Sequence, residues 1–315
     1  MGKYKIFIVL LALFLVVGAS CNLGGLVGKG ESGSEVKDDD YTGAKGLVLS
    51  FAQGLPPTEI WKDVDFSVQI DAHNQGGDDV SEGKVCIGSF PDRTFSGNDG
   101  CEDIGETIMG RRNFPGGEIQ TYGRDKWDFK LEKGFDVDKD YVFTAKACYK
   151  YSTSLAPSIC IKDPFADARD TVCSAGELDV GSDQAGPVAV TFLKEDIIPK
   201  GDTNELLFTI KVKNVGDGEV IKHDEELDDK CSFDNRNQKD VVKVEILSEE
   251  SGFSAASCKN DGELHLRNGE GSIICRGIEV EKGDSYTLPL NMKLTYGYLS
   301  RLKGQIKINK EIGGK

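Results

Sequence analysis

From residue 47 onward apolar and polar side chains alternate in short runs: LVLSF (47–51), FSVQIDAHN (66–74), KVCIGSF (84–90), WDFKLE (127–132), YVFTAKACYKY (141–151) and SICIK (158–162). Gly, Pro, Asn and Asp separate them, and a period of two bounded by such residues predicts strands with one face buried. The same text resumes after residue 186 with VAVTFL (188–193), LLFTIKVKN (206–214), VVKVEIL (241–247), SIICRGIEV (272–280), YTLPLNMKLTYGY (286–298) and GQIKINK (304–310). No long pattern of helical period competes, so the fold class is all-β and antiparallel.

Two segments of the first half echo in the second, in the same order. IDAHNQG, with Ile70, Asn74 and Gly76, matches IKVKNVG, with Ile210, Asn214 and Gly216. YKYSTSLAPSICIK (149–162) lies without a gap on YGYLSRLKGQIKIN (296–309), so that Tyr149 and Tyr151 fall on Tyr296 and Tyr298. The echo predicts two related tandem β-sandwich domains, 46–172 and 187–312, joined by a linker at 173–186. Asn-x-Gly at a strand end accepts the backbone angles needed to leave the strand. Tyr-x-Tyr puts both rings on one face, either packing the sheet or forming an exposed aromatic strip of the kind that contacts carbohydrate.

The N-terminus is different text. Lys3 and Lys5 precede twelve apolar residues, Ile6 to Val17, and the small residues Gly18-Ala19-Ser20 lead to Cys21. That order is a secretion signal over 1–20, and the run is shorter than the ~20 residues a transmembrane span needs. Cleavage before Cys21 exposes an N-terminal cysteine for lipidation, a lipobox-like arrangement in which Gly18 stands where Leu is usual. Plain secretion and a retained membrane helix are the alternatives. Residues 21–45 are Gly, Ser, Lys and Asp with few large apolar side chains, so they form a flexible acidic tether.

Charge narrows the partners. The chain carries −15, and losing Lys3 and Lys5 with the leader makes it −17. Such a surface repels phosphate backbones, which excludes nucleic acid. The nine cysteines, with Cys21 reserved for lipid, leave eight, an even number that implies disulfides in a secreted chain. The expected pairs are Cys148–Cys160, as the arms of a hairpin turning at residue 154, Cys86–Cys101, Cys258–Cys275, and Cys173–Cys231 pinning the linker. Zinc spacing is absent, since no two cysteines lie two to four residues apart and the histidines are His73, His223 and His265.

GPVAVTFLKEDIIPKGD followed by LLFTIKVKNVGDGEV resembles the CARDB family of immunoglobulin-like domains, found in bacterial and archaeal cell-surface proteins, whose hallmark is a strand running into Asn-x-Gly. GLVLSFAQGLPPTEIWKDVDFSVQIDAHNQGGDDVSEGKV fits the same pattern, with Asn74-Gln75-Gly76 in a longer loop than the family expects. The resemblance implies immunoglobulin-like sandwiches displayed at the cell surface. It brings no catalytic residues and no cysteine framework.

Acidic clusters are the remaining candidates for ligand chemistry. FDVDKDY offers Asp136, Asp138 and Asp140 as alternating oxygen ligands for calcium, without the Gly and distal Glu of a complete loop. A solvated turn is the other reading, as it is for DDD (38–40) and HDEELDD (223–229). No Gly-x-Ser-x-Gly elbow occurs. The expectation is therefore a non-enzymatic protein without cofactor on the extracytoplasmic face of the membrane, held by an N-terminal lipid or helix. It would act in adhesion, envelope structure or binding of a protein or glycan partner. The rival is a solute- or carbohydrate-binding lipoprotein using Trp61, Trp127, Tyr149 and Tyr151.

Overall fold

Alternation in the sequence becomes alternation in burial. Along Thr203–Asn214 the side chains of Leu206, Phe208, Ile210 and Val212 are buried while Lys211 and Lys213 are exposed. The computed structural model describes residues 43–162, 172–180, 184–223, 231, 238–247, 257–283 and 285–311, all within one compact unit. Cys21, the acidic run at 38–40 and most of the run at 223–229 lie outside them. No described helix is long and apolar enough to cross a membrane.

The first half supplies β1 (Leu47–Phe51), β2 (Glu59–Ile60), β3 (Asp65–Ser67), β4 (Ile70–Asn74), β5 (Gly83–Gly88), β6 (Phe95–Gly97), β7 (Gly100–Asp103), β8 (Ile119–Tyr122), β9 (Asp128–Leu131), β10 (Lys139–Leu155) and β11 (Ser158–Ile161). The second supplies β12 (Glu177–Leu178), β13 (Val188–Lys200), β14 (Thr203–Asn214), β15 (Glu219–Ile221), β16 (Val241–Ile246), β17 (Ser257–Cys258), β18 (Glu263–His265), β19 (Glu270–Glu281), β20 (Tyr286–Pro289) and β21 (Met292–Ile308). The protein is all-β, with β1-β4-β8, β3-β9-β6 and β12-β13-β14-β19-β17 as smaller sheets.

The largest sheet belongs to both halves. Its order is β18-β16-β21-β10-β5-β7, so β10 and β21, the echoed strands, lie side by side at its centre. They pair antiparallel from Lys139 opposite Ile308 to Leu155 opposite Met292. Pro157 has no N–H to give, so opposite Leu290 only the bond from Leu290 N to Pro157 O remains, at 2.8 Å, and β11 and β20 carry on the same register from Ser158 opposite Pro289 to Ile161 opposite Tyr286. Tyr149 faces Tyr298 and Tyr151 faces Tyr296, so each tyrosine meets the counterpart of its neighbour. The halves are thereby related by a pseudo-two-fold axis through the pair Lys150 and Gly297.

One cluster of buried side chains draws on both halves through this seam. One expectation changes: the chain does not turn at residue 154. Ser152-Thr153-Ser154 reads as a polar turn, yet the burial alternation of Tyr149, Tyr151, Thr153 and Leu155 runs straight through it. At roughly 3.3 Å per residue, Cys160 lies on the order of 40 Å along the strand from Cys148. The expected Cys148–Cys160 bridge is therefore replaced by Cys148–Cys231, and the expected Cys173–Cys231 bridge by Cys160–Cys173. Cys86–Cys101 and Cys258–Cys275 are joined, each pair directly opposite across adjacent strands.

Candidate functional site

The seam is built around four buried tyrosines. The ring centroids of Tyr149, Tyr151, Tyr296 and Tyr298 form a closed circuit with neighbours 5.8–6.3 Å apart. Edge-to-face contacts of this kind add to simple burial. Burial also pushes all four phenols up, Tyr298 to about 12, so the hydroxyls keep their protons. Each oxygen accepts a backbone N–H: from Leu47 of β1 to Tyr149 at 2.9 Å, from Val188 of β13 to Tyr296 at 3.3 Å, and from the loop residues Asp78 to Tyr151 at 3.2 Å and Gly218 to Tyr298 at 2.7 Å.

The Asn-x-Gly motifs complete these corners. Asn74 Nδ2 donates to Asp78 O at 2.9 Å and its Oδ1 accepts from Gly76 N at 3.1 Å. Asn214 repeats both bonds with Gly218 O at 2.8 Å and Gly216 N at 3.3 Å. A Cβ on Gly76 would collide with the Tyr151 hydroxyl and with Lys45 O, and one on Gly216 with the Tyr298 hydroxyl and the Pro187 ring. Glycine is required by this close approach, so the motif and the tyrosine pair form one device.

Beside each corner the chain leaves a depression, and the two depressions differ. Next to Tyr151 it is filled by Arg112, which pairs with the Asp78 carboxylate and donates from Nη2 to Ser154 O at 3.2 Å. Ser152 Oγ donates to the same carboxylate at 2.5 Å. Next to Tyr298 the depression is an open cleft of about 300 Å³ between Lys45–Leu49, Pro187, Asp217–Glu219 and Tyr298–Arg301. Its polar wall is a fixed ion pair, Arg301 Nη2 to Glu219 Oε1 at 2.8 Å, with Lys239 Nζ 3.6 Å from the other oxygen. Burial pushes the Glu219 carboxyl up, but the Arg301 and Lys239 cations outweigh it and hold it below the usual carboxylate range. Hydrogen-bonding groups over an apolar floor suit the binding of a polar segment or ligand.

No family model matches the chain, and no curated protein matches it.

The expected ligand residues do not assemble. Asp138 accepts Lys310 N at 2.9 Å and faces Lys307 Nζ at 3.6 Å, and the Lys310 N–H holds its carboxyl below the ordinary value. Lys307 also reaches Glu59 at 3.4 Å, so Asp138 serves a surface ion-pair network rather than standing with Asp136 and Asp140 as a calcium loop. The aromatic group of the rival reading is dispersed as well. Trp127, Tyr149 and Tyr151 are buried and Trp61 is 48 % exposed. Among the described residues the group with metal-ligand proximity is Cys86, Cys101 and Cys231, whose sulfurs are engaged in disulfides. Sequence spacing had no means of finding it, because Cys231 comes from an insertion between β15 and β16.

Proposed function

We propose that this chain is a membrane-tethered, non-enzymatic protein of the cell surface that presents a rigid, doubled β-body to a protein or glycan partner. Four disulfides fit an oxidising, extracytoplasmic compartment. The secretion signal and Cys21 support attachment by lipid or by a retained helix, and the CARDB-like pattern supports display at the surface. The observation that carries the reading is the β10–β21 seam: it fuses the two halves into one body, leaving recognition to the open cleft beside Tyr298 and to the edge strands β7 and β18.

The test is to express the full chain in a prokaryotic host, separate membrane from soluble fractions, and shave intact cells with protease. Recovery in the membrane fraction, loss on shaving and a lipid-modified peptide beginning at Cys21 are the expected results. A protease-protected protein in the cytosol with reduced thiols would overturn the reading.

A further inference from the structure

The face of the large sheet turned away from the main core carries a small cluster of its own: Cys86, Cys148, Ile221, Cys231 and Leu299, with Cys101 packed against it. Four of these six side chains are cysteines. They come from three strands and an insertion, since Cys86 lies on β5, Cys101 on β7, Cys148 on β10 and Cys231 between β15 and β16. Register explains the meeting, because Cys86 is opposite Cys101 on one side while its other neighbour, Lys146, is two residues from Cys148. The two disulfides touch: Cys86 Sγ is 3.3 Å from Cys231 Sγ. No such neighbour stands beside Cys258–Cys275 among the described residues.

Access is one-sided. Cys148 and Cys231 are sealed at 0 % and 1 % exposure and Cys86 at 4 %, whereas Cys101 is only partly buried. A cleft of about 360 Å³ opens over Cys86 and Cys101, lined also by Asp99, Gly100, Thr144 and Lys146. A thiolate entering it meets Cys101 first, and a lysine beside the disulfide favours the thiolate forms of attacking and leaving sulfur.

We infer that Cys86, Cys101, Cys148 and Cys231 form a thiol–disulfide exchange relay that a dithiol reductant enters at Cys101. One thiolate of the dithiol attacks Cys101 Sγ, the Cys86–Cys101 bond breaks, and Cys86 leaves as a thiolate. That sulfur already stands at the separation of a reacting pair, about 3–3.5 Å, from Cys231 Sγ. It attacks there, forms Cys86–Cys231 and expels Cys148 as a thiolate. The second thiol of the dithiol then attacks its own sulfur in the mixed disulfide, closes the oxidised dithiol and frees Cys101. Two electrons pass from the dithiol to the protein, and two protons from the dithiol end on Cys101 and Cys148. Of the relay's two disulfides one remains, Cys86–Cys231. The relay thus moves reducing equivalents from the surface to a buried sulfur while the insertion that carries Cys231 stays covalently tied throughout, its bond to β10 exchanged for one to β5.

The full-length oxidised protein is titrated with one equivalent of dithiothreitol, quenched with acid and N-ethylmaleimide, and its peptides are mapped by mass spectrometry without further reduction. The expected two-electron product carries label on Cys101 and Cys148, with Cys148 labelled at least tenfold more than Cys86 and a Cys86–Cys231 peptide present. Label on Cys86 and Cys101 with Cys148–Cys231 intact would overturn the relay, as would reduction beginning at Cys258–Cys275. The variant Cys101→Ser provides a second reading without reductant: the relay predicts Cys86–Cys231 with free Cys148, and Cys148–Cys231 with free Cys86 contradicts it. If that variant does not fold, the titration of the unaltered protein decides.

Discussion

In the first half Tyr151 receives the Asp78 N–H while the Asp78 carboxylate binds Arg112; in the second, Gly218 gives the same N–H to Tyr298 and has no side chain to hold an arginine. The backbone corner is duplicated and its surroundings are not. Arg112 comes from residues 104–118, the long stretch between β7 and β8, whereas β18 reaches β19 through only residues 266–269. A short connection cannot reach the corner, so the second depression stays open and its walls supply their own ion pair. The cores diverge in the same way: Phe66, Phe90, Phe95 and Phe129 interlock in the first half, while Leu193, Leu206, Ile210 and Val212 fill the second around Phe208. Pairing across the pseudo-two-fold axis constrains backbone groups, and side chains one layer away are free to specialise.

The two halves are covalently joined by Cys148–Cys231. Cys148→Ala with Cys231→Ala opens a link of sequence separation 83 and should cost about 4–5 kcal/mol. Cys258→Ala with Cys275→Ala, at separation 17, should cost about 3 kcal/mol. Denaturant midpoints of the two variants give the difference, and equal losses would show that the inter-half link adds nothing of its own.

Next come the glycines of the corners. Gly76→Ala forces apart the Tyr151 hydroxyl and Lys45 O and should lose about 3 kcal/mol, with Gly216→Ala losing less, about 2 kcal/mol, because the Tyr298 hydroxyl, the Pro187 side chain and Ala44 O all stand farther off there. Thermal unfolding of the pair ranks them, and the reverse order would put the tighter corner in the second half.

The seam has a titrating contact too. Glu195 is 1 % exposed, its Oε2 accepts Cys160 N at 3.0 Å, and burial raises its carboxyl from 4.5 to about 7. The folded state holds this proton more tightly than the unfolded chain does. The stability it adds is therefore complete below about pH 4.5 and lost as pH rises through about 7. Glu195→Gln should flatten that decline and gain about 1–3 kcal/mol over the parent above pH 7, as read from chemical unfolding at pH 5 and pH 8. A parent whose stability does not fall across this window would contradict the assignment.

The smallest effect separates the filled depression from the open one. Arg112→Ala strips a largely buried Asp78 of its cation and should cost about 1–2 kcal/mol, against less than about 0.5 kcal/mol for the more exposed Arg301→Ala. Comparable losses in thermal denaturation would mean that both arginines serve the fold equally.

The echo of Tyr-x-Tyr and Asn-x-Gly was legible because each motif answers a local demand, two rings on one strand face and a glycine where no Cβ fits. That the two motifs bond to each other was not, since Tyr151 and Gly76 are brought together only by sheet packing. Thr153 is the instructive residue: flanked by serines it resembles a turn, yet its hydroxyl is buried 2.7 Å from Tyr296 and its β-branched frame suits the strand. Cys148 and Cys160 misled for the same reason, since a turn inferred at 154 made them neighbours.

Period-two alternation by itself determined an all-β chain and the positions of its longer strands, because burial of one strand face is a local property of side-chain order. Which strand lies beside which, that the last strands of both halves pair through the axis at Lys150 and Gly297, and that Cys231 reaches Cys148 were decided only in three dimensions. Edge hydrogen-bonding groups are identical on every strand, so the sequence cannot label them. Shape and burial across the whole sheet choose the partner.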